Sequence, residues 1–345
     1  MDNYEPVRDA DAADAADTVE DYYAGAASYD RETVRFFDVA HEGAQIRAVA
    51  NAVGDLARLR GLAPRSVVAV AKDQVSRAAA EAALRLREPL PLPVVVTTVL
   101  PDYVGPLDVV AVIGECTSDP YTGQDTRSLL TAVRRGAETI LAGPHRGAIL
   151  DDAPEGVITV PALPSAAGAS PLRAMALVWA ILDCLDQPEE LTREFLDAVA
   201  NDVDEELEAL SPQRDTTVNA ARQLREFASG ARVLHTGFSP AGDAVASLAA
   251  QIWTARGIAS GYATRAEAGR ALEDAQAEQA VTDIFHDPFL DSEPGLVPLK
   301  AVVWAEPETV LPASRAEAAP STSLGDAASA ARLVARAFAA TAMSD

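Results

Sequence analysis

The stretch Ser66-Val-Val-Ala-Val-Ala71 is an uncharged, mostly apolar run, and a polar loop and an alanine-rich segment ending near Arg87 follow it. A run this short, bounded by polar residues, is typical of a strand buried on both faces of a parallel sheet. Alanine has the highest helix propensity of the common residues, so the segment after the loop is expected to be a helix. Residues 66–87 therefore predict a strand, a loop and a helix in succession.

Further short apolar runs follow this unit, and helical patterns lie between several of them, notably over residues 125–135. Strands that alternate with helices indicate βαβ units, in which parallel strands form one sheet and helices cover both of its faces. The runs are Pro93-Val-Val-Val-Thr97, Asp108-Val-Val-Ala-Val-Ile113, Thr139-Ile-Leu-Ala142 and Val157-Ile-Thr-Val160.

A second strand–loop–helix unit begins at Arg232-Val-Leu-His-Thr-Gly237, and its helix is expected from about Ala241 to Arg256. Its loop carries Ser239, which lies 163 residues after Ser76 of the first unit. Local likeness of this kind also occurs between unrelated α/β units, so duplication and coincidence stay equally open from the pattern alone. The expected fold class is α/β, with two tandem domains that each contain a parallel sheet.

Changes in composition divide the chain into four parts. Residues 1–60 form an acidic N-terminal segment followed by helices, and residues 61–195 form the first α/β domain. Residues 196–229 form a helical linker, and residues 230–345 form the second α/β domain. These boundaries predict two separate sheets with a helical connection between them.

The charge balance restricts the class of ligand. The chain has 28 Lys and Arg residues against 52 Asp and Glu residues, which gives a formal net charge of −24. Nucleic acids and anionic membrane surfaces are bound through basic patches, so neither is an expected partner. No signal peptide is visible, and the longest apolar stretch, Ala174 to Leu182, is about half a membrane span. We therefore expect a cytoplasmic protein.

Metal-ligating residue types are sparse. Cys116 and Cys184 are the only cysteines, and they have neither the spacing of a metal site nor that of a disulfide framework. His286 precedes an aspartate, but no second histidine is placed to complete a metal site. Gly237-Phe-Ser-Pro-Ala-Gly242 is not a dinucleotide-binding fingerprint, and neither a Walker motif nor a nucleophile elbow is present. The sequence predicts no metal and no cofactor.

The richest candidate for a ligand site is Cys116-Thr-Ser-Asp-Pro-Tyr-Thr-Gly-Gln-Asp-Thr126. It lies between an expected strand and an expected helix, and open α/β sheets bind ligands at the carboxyl ends of their strands. Its hydroxyls and the helix N-terminus could hold a phosphate, although Asp119 and Asp125 would repel it. Alternatively, Asp125 caps the helix and the hydroxyls form turns, and both interpretations stay open. The hydroxyl residues are Thr117, Ser118, Thr122 and Thr126.

Taken in order, these units resemble the bifunctional phosphoglucose/phosphomannose isomerase group of the sugar isomerase (SIS) superfamily. Arg134-Arg-Gly-Ala-Glu-Thr-Ile-Leu141 is similar to that family's entry into a strand, and residues 163–173 are similar to its proline-rich loop. Residues 219–222 and 232–251 resemble the lead into its second domain. The resemblance covers about residues 60–260 and implies two tandem flavodoxin-like SIS domains, at 61–195 and 230–345.

The resemblance also implies a site for a sugar phosphate. In the family, a serine at the first strand–helix turn and a second Ser/Thr cluster hold the phosphate, and an arginine approaches the substrate. Ser76 and Arg173 take the first and the last of these places, and the cluster corresponds to Thr117, Ser118 and Thr122. A small-molecule sugar phosphate is the implied ligand. A homodimer is implied as well, because SIS proteins commonly build their sites across a dimer.

The catalytic positions of the family are changed in this chain. The family's Gly-Gly-Ser turn is replaced by Asp73-Gln-Val-Ser76, and Thr254 stands where its catalytic glutamate is expected. Residues 265–270, which correspond to the neighbourhood of its ring-opening histidine, contain no histidine. Threonine cannot act as the base that moves a proton between C1 and C2 of the sugar. The substitute candidates are Glu267 and Glu273 as bases and His286 as the ring-opening group.

Two functions follow from the resemblance. The first is aldose–ketose isomerisation of glucose 6-phosphate or mannose 6-phosphate to fructose 6-phosphate. The second is a sugar-phosphate-binding or regulatory protein that keeps the SIS fold without catalysis, and Thr254 favours it. A structural partner of another enzyme is a third alternative.

Overall fold

Two parallel sheets with flanking helices form the fold, as the sequence predicts. A computed structural model describes residues 30–114, 123–163, 168–285 (backbone only over 279–285) and 297–344. The strands are β1 (Ser66–Ala71), β2 (Val94–Thr97), β3 (Asp108–Ile113), β4 (Glu138–Ala142), β5 (Ile158–Thr159), β6 (Arg232–Gly237), β7 (Ser260–Tyr262), β8 (Leu299–Trp304) and β9 (Ser314–Glu317). The helices are α1 (Arg31–Ala40), α2 (Glu42–Asn51), α3 (Val53–Leu56), α4 (Gln74–Arg85), α5 (Gln124–Arg134), α6 (Ala148–Asp151), α7 (Pro171–Asp186), α8 (Glu189–Ala209), α9 (Ala220–Ala228), α10 (Pro240–Ala255), α11 (Arg265–Phe285) and α12 (Asp326–Ala340).

The first sheet has the strand order β2-β1-β3-β4-β5, and all of its neighbouring strands are parallel. β1 and β3 pair from Ser66 opposite Asp108 to Ala71 opposite Ile113. The chain passes from β1 to β2 on one side and then returns to place β3 on the other side of β1. Its direction of winding therefore reverses between β1 and β3, and doubly wound sheets bind ligands at such a reversal.

Every residue of β1 and β3 is buried, which shows that both faces of the first sheet are covered by helices. Val67 and Ala69 belong to the main core, which includes residues of α4 and α7. Val68 and Val70 belong to a second cluster with Leu129 of α5. Side chains alternate between the two faces of a strand, so an apolar residue at every position requires a core on each side.

The second sheet repeats this arrangement with the order β7-β6-β8-β9, also parallel. β6 begins and ends 166 residues after β1, and α10 begins 166 residues after α4. The residue whose side chain caps the helix is Asp73 in the first unit and Ser239 in the second. The structural equivalent of Ser76 is therefore Gly242, and the pairing of Ser76 with Ser239 that we inferred from the sequence is wrong by three residues.

The two sheet units join through α4 and α10, which pack against each other in antiparallel orientation. Gln74 Nε2, at the start of α4, donates to the carbonyl of Gln251 near the end of α10 at 3.2 Å. At the opposite end, the Tyr262 hydroxyl donates to Asp243 in the first turn of α10, and Arg85 of α4 lies within electrostatic range of Tyr262. The end of α10 therefore lies beside the carboxyl edge of the first sheet.

Helix α8 packs against α2 and α12 and so contacts elements of both units. It continues through residues 195 and 196, where we placed the boundary between the first domain and the linker. The division at residues 60, 195 and 229 stays a prediction. Within the described residues, no helix is both long enough and apolar enough to cross a membrane.

A buried ion-pair network ties α8 to the second sheet. Arg336 of α12 is 9% exposed, and it pairs with Glu206 of α8 at 2.7 Å and with Glu317 of β9 at 2.8 Å. Arg332 also pairs with Glu206 at 3.2 Å, and Arg315 also pairs with Glu317 at 2.5 Å. Glu206 and Glu317 are buried, so both depend on their arginine partners to compensate for lost hydration.

Replacement of Arg336 with methionine is expected to lower the free energy of unfolding by about 3 kcal/mol, because it leaves two buried carboxylates without their shared partner. Denaturant unfolding of the purified protein measures this change. The double variant Arg336→Met/Glu206→Gln is expected to recover part of the loss, since a neutral amide costs less to bury than a carboxylate. Unchanged stability in Arg336→Met would contradict a stabilising role for the network.

Candidate functional site

The turn between β1 and α4 places Ser76 where the winding of the first sheet reverses. Asp73 caps α4, and its Oδ1 accepts the backbone N–H of Ser76 at 2.7 Å. The Ser76 residue is buried. A helix N-terminus carries N–H groups without helical partners and the positive end of the helix dipole, so this turn suits an anion. In this chain the Asp73 carboxylate already occupies part of the position that an anion would take at the N-terminus of α4.

Gly114 follows β3 and closes the opposite side of this turn. Its φ is +122°, and a Cβ there would lie 2.4 Å from Asp73 Oδ2 and 3.2 Å from Ser76 Oγ. A side chain is therefore excluded both by the backbone conformation and by the available space. The ends of β1 and β3 and the side chains of Asp73 and Ser76 consequently meet at one point on the carboxyl edge of the sheet.

The N-terminus of α7 lies at the same edge. Ser170 caps this helix, and its Oγ accepts the backbone N–H of Arg173 at 3.2 Å. The Arg173 side chain is buried, and its Nη2 donates to the carbonyl of Gly143 at 2.8 Å and to the carbonyl of Val160. Gly143 and Val160 directly follow β4 and β5, so Arg173 ties α7 to the carboxyl ends of these strands.

These groups line one small cleft. Ser76 and Gly114 contribute from the ends of the central strands, and Ser170 and Arg173 contribute from α7. Between the described residues the cleft has room for about one water molecule. The N-terminal turns of two helices, with Ser76, Ser170 and Arg173, therefore border a cleft at whose rim a polar ligand could be held.

A buried carboxylic acid lies behind this cleft. Glu42 of α2 is 1% exposed, and its Oε2 accepts the backbone N–H of Leu172 at 2.8 Å. Burial raises the pKa of Glu42 to about 7, although hydrogen bonds from Ser170 and Leu172 and the charges of Arg173 and Arg256 oppose the shift. Glu42 therefore changes its charge near neutral pH.

Glu42→Gln is expected to remove a pH dependence of stability. Because the pKa of Glu42 is raised in the folded protein, its stabilising contribution is complete below about pH 4.5 and is lost as the pH rises through about 7. Relative to Glu42→Gln, which mimics the neutral acid, the wild type should lose about 2 kcal/mol between roughly pH 5.5 and 8. Denaturant unfolding at both pH values measures this difference, and an identical pH dependence in the two proteins would contradict the raised pKa.

Two of the predicted phosphate-binding residues, Ser76 and Arg173, lie in this cleft. Thr117, Ser118 and Thr122 fall outside the described residues, in the segment that directly follows Gly114. The predicted ring-opening group, His286, also falls outside the described residues. The proposed roles of all these residues stay predictions.

The two predicted bases belong to α11, which follows β7 of the second sheet. Glu267 is exposed, and its Oε2 accepts the backbone N–H and the hydroxyl of Thr264 at 3.1 and 2.7 Å. These hydrogen bonds lower the pKa of Glu267, which makes it a weaker base. Glu273 is exposed on the same helix. Thr254, which stands at the expected position of the base, has its Oγ1 3.2 Å from Ser260 Oγ. The assignment of Glu267 and Glu273 as bases stays a prediction.

Sequence reasoning missed Gly114 and the cap Ser170, which line the cleft, and Glu42, which lies behind it. Ser170-Pro171 combines a favoured capping residue with proline at the first helical position, and this start signal could have located the N-terminus of α7. Glu42 gives no comparable signal, because a glutamate in a helix is normally exposed and only tertiary packing buries this one.

The equivalent point of the second sheet is closed by packing. A Cβ on Gly237 would lie 2.1 Å from the backbone of Gly242, and a Cβ on Gly242 would lie 2.5 Å from the carbonyl oxygen of Trp304. α10 therefore lies directly on the strand ends. Next to this contact, Trp304 Nε1 donates to Nδ1 of the buried His235 at 3.0 Å, and burial lowers the pKa of His235 to about 3. Across the described residues, no three metal-ligating side chains form a group that could hold a metal ion.

Neither a model of a known protein family nor a curated protein sequence matches the chain. Solved structures do share its fold. The C-terminal domain of glucosamine-fructose-6-phosphate aminotransferase from Francisella tularensis is 11% identical and covers 91% of this chain and 97% of its own, with a TM-score of 0.56. Tagatose-6-phosphate ketose/aldose isomerase from Escherichia coli is 14% identical and covers 88% and 90%, with a TM-score of 0.55. A hypothetical protein from Thermus thermophilus is 10% identical and covers 96% and 89%, with a TM-score of 0.57. At these identities the likeness establishes the fold.

Proposed function

We propose that the protein binds a phosphosugar in the cleft at the carboxyl edge of the first sheet. The observation that carries this proposal is the convergence of the N-termini of α4 and α7, with the Ser76 and Ser170 side chains, on one cleft. Groups of this kind bind the oxygens of phosphates and sugars. The fold shared with a tagatose-6-phosphate isomerase supports the same class of ligand. Membership of the phosphoglucose/phosphomannose isomerase group and a homodimeric state belong to the same proposal.

The strong negative charge of the chain makes local contacts decisive for this function. A net charge of −24 repels a phosphate at long range. At physiological salt, screening limits that repulsion to a distance of about 8 Å. Near the cleft, the helix N-termini, Arg173 and Arg256 favour an anion, and Asp73 and ionised Glu42 oppose it. Nearby charges such as these therefore affect the affinity more than the net charge does.

Ser76→Ala is expected to weaken the binding of a hexose 6-phosphate about fivefold, because a hydrogen bond between uncharged groups contributes about 1 kcal/mol. Isothermal titration calorimetry with glucose 6-phosphate, mannose 6-phosphate and fructose 6-phosphate measures the affinity. The matched control is Ser66→Ala, which removes a buried hydroxyl that donates to Asp108 at the opposite end of β1. We expect this control to lower stability and to leave the affinity unchanged.

An equal loss of affinity in the two serine variants would contradict binding in the cleft. The absence of binding by the folded wild type would contradict the proposed function itself.

Aldose–ketose isomerisation of glucose 6-phosphate or mannose 6-phosphate is the second candidate function. It requires a base that moves a proton between C1 and C2 of the open-chain sugar. Glu42 favours this function, because a pKa of about 7 suits a general base and the residue is linked to the cleft through Ser170. Two features oppose it: Thr254 stands at the expected base position and cannot act as a base, and hydrogen bonds from Thr264 lower the pKa of the substitute candidate Glu267. Binding without turnover therefore fits the site better.

A coupled assay for the formation of fructose 6-phosphate separates the two functions. Binding without catalysis predicts no turnover of either hexose phosphate by the wild type. Turnover that Glu42→Gln lowers by about 100-fold or more would instead support isomerisation with Glu42 as the proton-transfer group. Turnover that survives both Glu267→Gln and Glu273→Gln would exclude these two residues as the base.

A further inference from the structure

The carboxylate of Asp73 stands where the N-terminus of α4 would otherwise meet an anion. Its Oδ1 takes the backbone N–H of Ser76 at 2.7 Å. Its Oδ2 faces the end of β3, since a Cβ on Gly114 would lie only 2.4 Å from this oxygen. One oxygen thus accepts a hydrogen bond from an N–H group of the helix N-terminus, and the other lies between the ends of β1 and β3.

The negative charge at this position is not needed to cap the helix. The equivalent residue of the second unit is Ser239, whose Oγ accepts the backbone N–H of Gly242 at 3.1 Å and caps α10 in the same way. Serine and aspartate are comparably good N-caps, so capping does not explain the choice of aspartate. The carboxylate lies beside Ser76 and Gly114, which line the cleft, so its charge acts on any anion that enters there.

A phosphate and a sugar hydroxyl respond to this carboxylate in opposite ways. A phosphate dianion beside Asp73 meets a like charge and finds the N–H of Ser76 already paired. A sugar hydroxyl is a hydrogen-bond donor, and an ionised carboxylate is an acceptor with oxygens that take several hydrogen bonds. The α4 side of the cleft consequently suits the neutral part of a phosphosugar and disfavours its charged end.

We infer that Asp73 is a specificity-determining residue that keeps the phosphate away from the N-terminus of α4 and accepts a sugar hydroxyl there. The sugar of the ligand then lies against the N-terminus of α4, and its phosphate lies away from Asp73. This inference rests on the proposed binding of a phosphosugar in the cleft. It adds the orientation of the ligand and the residue that sets it.

The test compares the affinities of wild type, Asp73→Ser and Asp73→Asn for glucose 6-phosphate and for glucose, measured by titration calorimetry. Both replacements are good N-caps, so α4 is expected to remain intact, and thermal unfolding verifies this. We expect both variants to bind glucose 6-phosphate about tenfold or more tightly than the wild type. Their affinity for glucose is expected to stay the same or fall. Glucose has no phosphate that the Asp73 carboxylate would repel, and the replacement removes a carboxylate that accepts a hydrogen bond from a sugar hydroxyl.

The matched control is Asp30→Ser. Asp30 caps α1 with the same kind of hydrogen bond, from the backbone N–H of Thr33 to its Oδ1 at 2.9 Å, and none of its hydrogen-bond partners lines the cleft. Its replacement makes the same change in net charge at a remote helix. We expect it to leave the ratio of the two affinities unchanged, and an equal shift of this ratio in Asp30→Ser and Asp73→Ser would overturn the inference.

The remaining outcomes separate the inference from the function on which it rests. If wild type binds glucose 6-phosphate and both Asp73 variants bind it equally well or more weakly, the inference is wrong and the proposed function stands. A gain in Asp73→Ser without one in Asp73→Asn would also overturn it, because only the size of the side chain would then matter. If no folded variant binds glucose 6-phosphate, both the inference and the proposed function fail.

Discussion

The burial of β1 on both faces is the constraint on which the rest of the structure depends. No residue from Ser66 to Ala71 faces water, so helices must cover both sides of the sheet. Crossover connections through such helices make neighbouring strands parallel and bring their carboxyl ends to one edge. The reversal of winding between β1 and β3 then leaves a gap at this edge, where Ser76 and Gly114 meet.

The same topology occurs twice in the chain, and small differences in side chains decide whether the strand edge stays open. In the second unit, Gly237 and Gly242 let α10 approach the strand ends so closely that a single Cβ would not fit. In the first unit, Ala71 and Ser76 occupy the equivalent positions, and Ser76 and the helix cap Asp73 hold polar groups at the edge. An open cleft in one unit and a packed joint in the other therefore follow from two positions of each turn.

The strands of the first sheet could be predicted from the sequence because their signal is local. The expected runs and the observed strands agree to within one residue at each end, as for Val157–Val160 and β5 at Ile158–Thr159. The equivalence of the two units was misjudged, because matching serine with serine follows residue type, whereas the structure matches the capping positions Asp73 and Ser239. Glu42 could not be predicted as part of the site, because its partner Leu172 lies 130 residues away.

We propose that a phosphosugar binds at the carboxyl edge of the first sheet and not at that of the second. A crystal structure of the wild-type protein with glucose 6-phosphate tests it most directly. We expect the sugar in contact with Ser76 and the phosphate away from Asp73. A sugar phosphate bound at the strand ends around Gly237, or at a surface away from both sheet edges, would contradict it.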